Sequence, residues 1–214
     1  MYQRIVTFGC SNSYGHGLSD CNIDGRPGLL PSKFAWPALL DKPYLNLSKP
    51  GSSNKQIAME CLAQQFNETD VVVFVWTYAA RNFYFNEKNE TYQFHANQTQ
   101  LHKKLSDDVD TLVAAVGWLR FLADRSWIDI IIEQYMYIKL ADYHVKSFGA
   151  KVLHCRIDST FKFYPKTQIP DNLYIRMHDI EQILMKTDPL PDGHAGPRGQ
   201  QLAAKFIKRR ISKL

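Results

Sequence analysis

Ile5-Val6-Thr7-Phe8-Gly9-Cys10-Ser11-Asn12-Ser13-Tyr14-Gly15 is the stretch on which the reading of this chain turns. A strand-like run, Ile5 to Phe8, gives way to small and polar residues where a strand must stop and turn. Open α/β sheets bind ligands just past the carboxyl ends of their strands, so Ser11 falls where a ligand would sit. Gly9 permits a close bend, and Ser11 supplies a hydroxyl that attacks only once a base takes its proton. Read by itself, the segment is also an ordinary polar turn. The far end of the chain decides between the two.

Working outward, residues 16–32 are rich in Gly, Asp, Asn and Pro and read as a long loop over the sheet. Ser32 is placed to cap a short helix through Phe34, Trp36, Leu39 and Leu40, with Pro37 in its first turn. Pro43 to Leu47 reads as a second strand running into a glycine turn, Ser48-Lys49-Pro50-Gly51-Ser52-Ser53-Asn54, and then a helix carrying Ile57, Cys61 and Leu62 on one face. Asp70-Val71-Val72-Val73-Phe74-Val75-Trp76 is the clearest strand, apolar throughout as a strand covered on both faces must be. Residues 77–98 read as a loop on the active side. Residues 99–148 read as mostly helical, with Leu101, Leu105, Val109, Leu112, Val113 and Val116 near helical spacing and a break near Arg125-Ser126. Lys151 to Cys155 is a fourth strand, 156–176 irregular, Ile180 to Leu184 a short helix, and 197–212 the last helix. Strands alternating with helices through right-handed crossovers predict one α/β domain over residues 1–214, a three-layer α/β/α sandwich around a central parallel sheet.

Composition narrows the function classes. With 45% hydrophobic and 22% charged residues, the 214-residue chain has the balance of a globular protein with a full core. No apolar run reaches the ~18 residues a membrane helix needs, and Met1-Tyr2-Gln3-Arg4 enters a strand directly, so no signal peptide is expected and the setting is read as cytoplasmic. The four cysteines (Cys10, Cys21, Cys61, Cys155) lack metal-ligand spacing and are expected as reduced thiols. The net charge of +5 is concentrated at Lys205, Lys208, Arg209, Arg210 and Lys213. Without an aromatic-rich basic stripe, that cluster reads as the solvated end of a helix rather than a nucleic-acid surface.

The second anchor is Asp188-Pro189-Leu190-Pro191-Asp192-Gly193-His194-Ala195-Gly196-Pro197, just before the last helix. A nucleophilic serine needs an imidazole to take its proton and a carboxylate to fix that imidazole's tautomer and stabilise its charge. Asp192 and His194 supply both from one turn. Ser11, two further glycine turns at strand ends and this pair together favour the catalytic reading over a helix-entry loop with a surface histidine.

On these residues the chain resembles the SGNH (GDSL-type) hydrolases. That family's Gly-Asp-Ser turn is matched by Gly9-Cys10-Ser11, its second-block glycine by Gly51, and its terminal acid and histidine by Asp192 and His194. Gly15-His16-Gly17-Leu18, Ser52-Ser53-Asn54-Lys55-Gln56-Ile57 and Trp76-Thr77 resemble a divergent branch often encoded by bacterial viruses, which would put the protein in a host cytoplasm or a virion. The resemblance implies a flavodoxin-like strand order and a serine esterase acting on a small acyl, such as acetyl, ester of a carbohydrate or similar molecule. Ser11, Asp192 and His194 would be catalytic, with Ser11, Gly51 and Thr77 around the oxyanion. Asn54, Trp76, Tyr78 and Arg81 would be candidates for substrate binding. No metal or other cofactor is required. Trp36, Trp76, Tyr78, Phe83 and Tyr84 could form a sugar platform, although core is the expected place of Trp76.

Three departures qualify the match. Cys10 stands where the family has aspartate. Thr77 stands where it has an asparagine, and losing one oxyanion donor costs about 3 kcal/mol of transition-state stabilisation. The acid and histidine are two residues apart where three is commoner, a shorter spacing used by some acyl-transferring relatives; Asp188 is the reserve carboxylate. The rival readings are a Cys10 nucleophile, which strand alternation points away from Ser11, an acyltransferase, and a hydrolase fold retired to a binding or virion role.

Overall fold

The computed structural model describes residues 2–24, 26–85, 91–94, 125–158, 161 and 168–214, with only the backbone described at 82–85 and 91–94. Strands β1 (Arg4–Phe8), β4 (Tyr44–Asn46), β5 (Asp70–Trp76), β8 (Lys151–Arg156) and β9 (His178–Asp179) form one five-stranded sheet in the order β4-β1-β5-β8-β9. Every pairing in it is parallel, with Ile5 opposite Val71 and Val71 opposite Lys151. Counted along this sheet, the order is the flavodoxin-like 2-1-3-4-5.

Strand alternation divides the core. Val6, Phe8, Val72, Phe74 and Trp76 face one side and pack with Ile57 and Cys61 of α2 (Asn54–Leu62) and Ile131, Tyr135, Ile138 and Val145 of α3 (Trp127–Ser147). Ile5, Val71, Val73 and Val75 face the other and meet Trp36, Leu40 and the Ala203, Ala204, Ile207 and Ile211 stripe of α4 (Pro197–Ile211). These are the three expected layers. Two of these helices start at a serine cap: for α2 Ser53 accepts from Gln56 N at 3.2 Å, and for α3 Ser126 from Asp129 N at 3.2 Å. The expected break near Arg125-Ser126 is thus the N-cap of α3.

Several elements differ from expectation. The helix expected from Ser32 is a single 3-10 turn, Trp36–Leu39, with Pro37 inside it. Within 77–98 the chain forms an antiparallel pair, β6 (Asn82–Phe85) with β7 (Thr91–Phe94), where a loop was expected. A two-residue hairpin pair, β2 (Asn22–Ile23) with β3 (Arg26–Pro27), lies within the loop 16–32. The edge strand β9 falls just past the segment read as irregular, and the short helix after it is a π-helical turn, Gln182–Lys186. The helical pattern expected over 101–116 lies outside the described residues. None of the described helices is long and apolar enough to cross a membrane. At the basic end of α4, Lys208 pairs with Asp41 at 2.7 Å and Arg210 lies 5.0 Å over the Phe206 ring, both as a solvated helix end would.

Candidate active site

The carboxyl ends of β1, β4 and β5 point to one edge of the sheet, and the expected functional residues follow them. Beyond β1, Cys10 caps a one-turn helix, α1 (Ser11–Tyr14), of which Ser11 is the first residue. Gly9 is required by packing: a Cβ there would come within 2.6 Å of Ser13 Oγ. The turn is fixed from below by Asn46 at the end of β4, whose amide donates to Ser13 O at 2.8 Å while its carbonyl oxygen accepts from Thr7 Oγ1 and Ser48 N, each at 3.1 Å. Gly51 lies in the turn that follows. Thr77 directly follows β5 and is fully buried.

The two ends of the chain are stitched together here. Asn12, next to Ser11, accepts a hydrogen bond through Oδ1 from the amide of Ala195, next to His194, at 3.0 Å. Gln200 of α4 donates to Asn12 O at 3.0 Å and accepts from Trp36 N at 2.9 Å, buried throughout. The loop before α4 is closed by its own bonds: Leu190 N donates to His194 O at 2.7 Å and Gly196 N to Asp188 O at 2.7 Å.

Within that loop the two candidate carboxylates have different partners. Asp192 Oδ1 accepts from the His194 backbone N–H at 3.0 Å, and Oδ2 lies 3.1 Å from His194 Nδ1. That second approach is an ion-pair distance off the line of a hydrogen bond, leaving Nδ1 buried without a hydrogen-bond partner. Burial pushes the Asp192 carboxyl up, but the His194 amide and imidazole, together with His16, outweigh it and hold it below the usual carboxylate range. Asp188 instead accepts from Arg198 N at 3.0 Å, closing the first turn of α4. Asp192 is the carboxylate beside the imidazole.

The remaining candidates divide between rim and interior. Ser11 is 8% exposed, and its hydroxyl belongs to the residue bonded next to Asn12. Asn54 is fully buried and commits both ends of its amide to Thr77: Oδ1 accepts from Thr77 N at 2.7 Å and Nδ2 donates to Thr77 O at 3.1 Å. The Thr77 hydroxyl is buried without a partner. Trp36 and Trp76 are both fully buried, so neither serves as a sugar platform. Tyr78 is 38% exposed, with the Arg81 guanidinium 5.3 Å over its ring and donating to Ser52 O at 3.2 Å. The side chains of Phe83 and Tyr84 lie outside the described residues. All four cysteines are buried and unbridged; burial pushes Cys61 and Cys155 up to about 12, and Cys10 packs in the core on the α4 side.

The fold is that of the SGNH hydrolases. Among solved structures the chain is similar to a protein assigned to the G-D-S-L lipolytic family from Desulfitobacterium hafniense, at 12% identity and TM-score 0.51, over 97% of this chain and 98% of that one. It is similar to the esterase EstA from Pseudoalteromonas, at 14% identity and TM-score 0.52, over 99% and 97% of the two chains. It is also similar to the acetyl xylan esterase Est2A from Butyrivibrio proteoclasticus, at 10% identity and TM-score 0.55, over the whole of this chain and 64% of that one. The chain matches no protein-family model, and no curated protein matches it by sequence.

Two features of the site region were not picked out from sequence. His16 stacks on His194, ring centroids 4.5 Å apart and planes 12° from parallel. Gly17 beside it has φ +87°, and a Cβ there would come within 2.8 Å of Asp192 Oδ2. The signal was a histidine between two glycines, each of positive φ. Beneath the rim, Trp76 Nε1 donates to His154 Nδ1 at 3.0 Å, and His154 Nε2 lies 3.1 Å from Asp142 Oδ1. Nothing in Leu153-His154-Cys155, an ordinary strand pattern, marks that network.

Proposed function

We propose that the protein is a serine esterase that uses Ser11 as nucleophile, His194 as base and Asp192 as the carboxylate that orients it. The observation that carries this reading is the Asn12–Ala195 hydrogen bond, which ties the residue after Ser11 to the residue after His194 with Asp192 against the imidazole. His194 takes the Ser11 proton as Oγ bonds to the ester carbon. The oxyanion is held by the backbone N–H groups of Ser11 and Gly51, with Thr77 at the asparagine position of the family. The intermediate collapses, His194 protonates the departing alkoxide, and water or an acceptor hydroxyl then releases the acyl group by the reverse sequence. The proposed substrate is a small acyl ester, an acetylated carbohydrate being the class the sequence blocks and the esterase neighbours favour. Tyr78, exposed, and Arg81, half-buried against its ring, are the candidates to meet it. The likeness to the branch carried by bacterial viruses rests on the sequence blocks alone.

A fluorophosphonate probe tests the nucleophile directly. Covalent labelling of the protein that is lost in Ser11→Ala, together with hydrolysis of p-nitrophenyl acetate lost in the same variant, is the expected result. An unlabelled wild-type protein would instead favour the second reading, a binding module on a retired hydrolase fold. That reading draws on the third block, where Thr77 replaces the asparagine and Asn54 is spent on the Thr77 backbone.

A further inference from the structure

We propose that His16, Asp192 and His194 form a binding site for a divalent transition ion of the zinc class, and that filling it switches the esterase off. The switching half rests on the reading of His194 as the base; the binding half does not.

One ligand atom from each of the three side chains lies within 4.8 Å of the other two. Two imidazoles and a carboxylate are a donor set that suits zinc, and three protein ligands leave a position for water. The residues come from two distant segments held together by backbone contacts. Gly17 lets its loop press against Asp192, Asp192 is bonded to the His194 amide, and Asn12 to the Ala195 amide. The His16 and His194 rings are stacked face to face, so their in-plane lone pairs run parallel and one ring must turn for both to meet a single ion. His194 Nδ1 is a buried polar atom without a hydrogen-bond partner, although Asp192 Oδ2 is 3.1 Å away. The Asp192 side chain is 41% exposed and that of His194 22%, so an ion has a route in. Zn–N bonds of about 2.0–2.1 Å place tetrahedral ligand atoms roughly 3.4 Å apart. Closing the three atoms to that spacing requires side-chain rotation at the rim and no movement of the sheet.

The consequence for catalysis follows from the electron count of imidazole. A neutral ring has one lone pair in its plane and one N–H. If either nitrogen of His194 gives its lone pair to the metal, the other carries the proton. No lone pair then remains to accept the proton of Ser11. The ion also competes for Asp192, the group that would steady the imidazolium.

The test uses the full chain freed of metal with a chelator. Cobalt(II) is titrated while the visible absorption of a four-coordinate complex is followed, zinc binding is measured by calorimetry, and p-nitrophenyl acetate hydrolysis is assayed with and without zinc. One ion per chain and inhibition reversed by EDTA are expected. In His16→Ala and His16→Gln, zinc affinity falls at least about tenfold and the zinc dose needed for inhibition rises in step. The readout is the ratio of rates with and without zinc, so a changed basal rate in the variants does not enter it. Absence of stoichiometric binding, wild-type binding in both variants, or activation by zinc would each overturn the proposal. Stoichiometric binding that depends on His16 without inhibition keeps the site and refutes the switch. If the metal-free protein hydrolyses no ester while binding persists, the esterase reading fails and the metal site stands.

Discussion

Among the described residues, two Asp–His pairs lie at the same 3.1 Å separation, in opposite surroundings. Asp142 and His154 face each other between α3 and β8, each side chain 6% exposed. Trp76 donates to Nδ1 of this histidine, so its proton is on Nε2, directed at Asp142. Lys146 completes the chain, donating to Asp142 at 2.9 Å. Burial opposes the charge on Asp142, but His154 and Lys146 together hold its pKa below the ordinary value. His154 is moved down by burial, against the pull of Asp142, and so stays neutral. Every polar atom of that imidazole has a partner, and the ring stacks on Phe74 at 5.3 Å. The Asp192–His194 pair sits at the rim, with a partly exposed ring and a buried Nδ1 out of hydrogen-bond geometry. The same two side chains make a structural tie where both nitrogens are occupied and a candidate base where one can exchange a proton.

The widest separation between the pairs should appear on removing each histidine. His194→Ala is expected to lower kcat for an activated acetyl ester by at least about a thousandfold. Its urea midpoint should stay near that of wild type, because the ring is at the surface of the loop. His154→Ala should do the reverse. It strands the Trp76 N–H in the core and leaves the buried Asp142 carboxylate with Lys146 alone, at a cost of about 3 kcal/mol. Urea unfolding checks it; a His154→Ala protein as stable as wild type would break the distinction.

Next in size is the pH dependence of stability. The folded pKa of His154 is below the ordinary 6.5, so between the two values the unfolded chain binds a proton that the folded chain does not. Stability therefore rises with pH across that window and is lost as pH falls below about 6.5, by up to ~1.4 kcal/mol per pH unit. Asp142 and Asp192, both lowered, add their losses only below the ordinary carboxylate value of 3.8. His178, depressed by burial and by Arg210 and Arg176, contributes to the same neutral window. Unfolding curves between pH 5 and 7.5 should accordingly flatten in His154→Gln and keep part of their slope.

The contrast also shows what a sequence can disclose. The Asp70–Trp76 run, the Gly9-Cys10-Ser11 turn and the Asp192-Gly193-His194 turn are local patterns, and each sits where strand order and helix entry place it. The Asp142–His154 tie is not local. It needs α3 packed on β8 and a tryptophan 78 residues away in sequence from its histidine. His16 likewise meets His194 only because Asn12 and Ala195 bring the chain ends together. Short elements were lost for a related reason. The two residues of β9 carry too little pattern to read, and are ordered by pairing Cys155 with His178 and Arg156 with Asp179. At the 3-10 turn the first amide, Trp36 N–H, is bonded by Gln200 from the opposite end of the chain, a partner that no local pattern discloses.

The smallest expected effect is at Gly17, and it separates orientation from chemistry at the rim. Its φ of +87° costs an L-residue about 1–2 kcal/mol. The added methyl would also stand 2.8 Å from Asp192 Oδ2, closer than the two atoms can remain. Asp192 is partly exposed and can rotate away, and Leu190 Cδ1, 2.9 Å from that methyl, must also shift. Gly17→Ala should therefore lower stability by the backbone strain and the loss of the Asp192 bond to the His194 amide. The rotation moves the carboxylate from its 3.1 Å position beside His194 while leaving Ser11 and the imidazole in place. A role for Asp192 in orienting the base then predicts a fall in kcat larger than any change in KM, with fluorophosphonate labelling of Ser11 slowed in proportion. If both rates stay at wild-type values after the carboxylate has been displaced, the rim pair is a second structural tie, and its likeness to a catalytic dyad is geometric only.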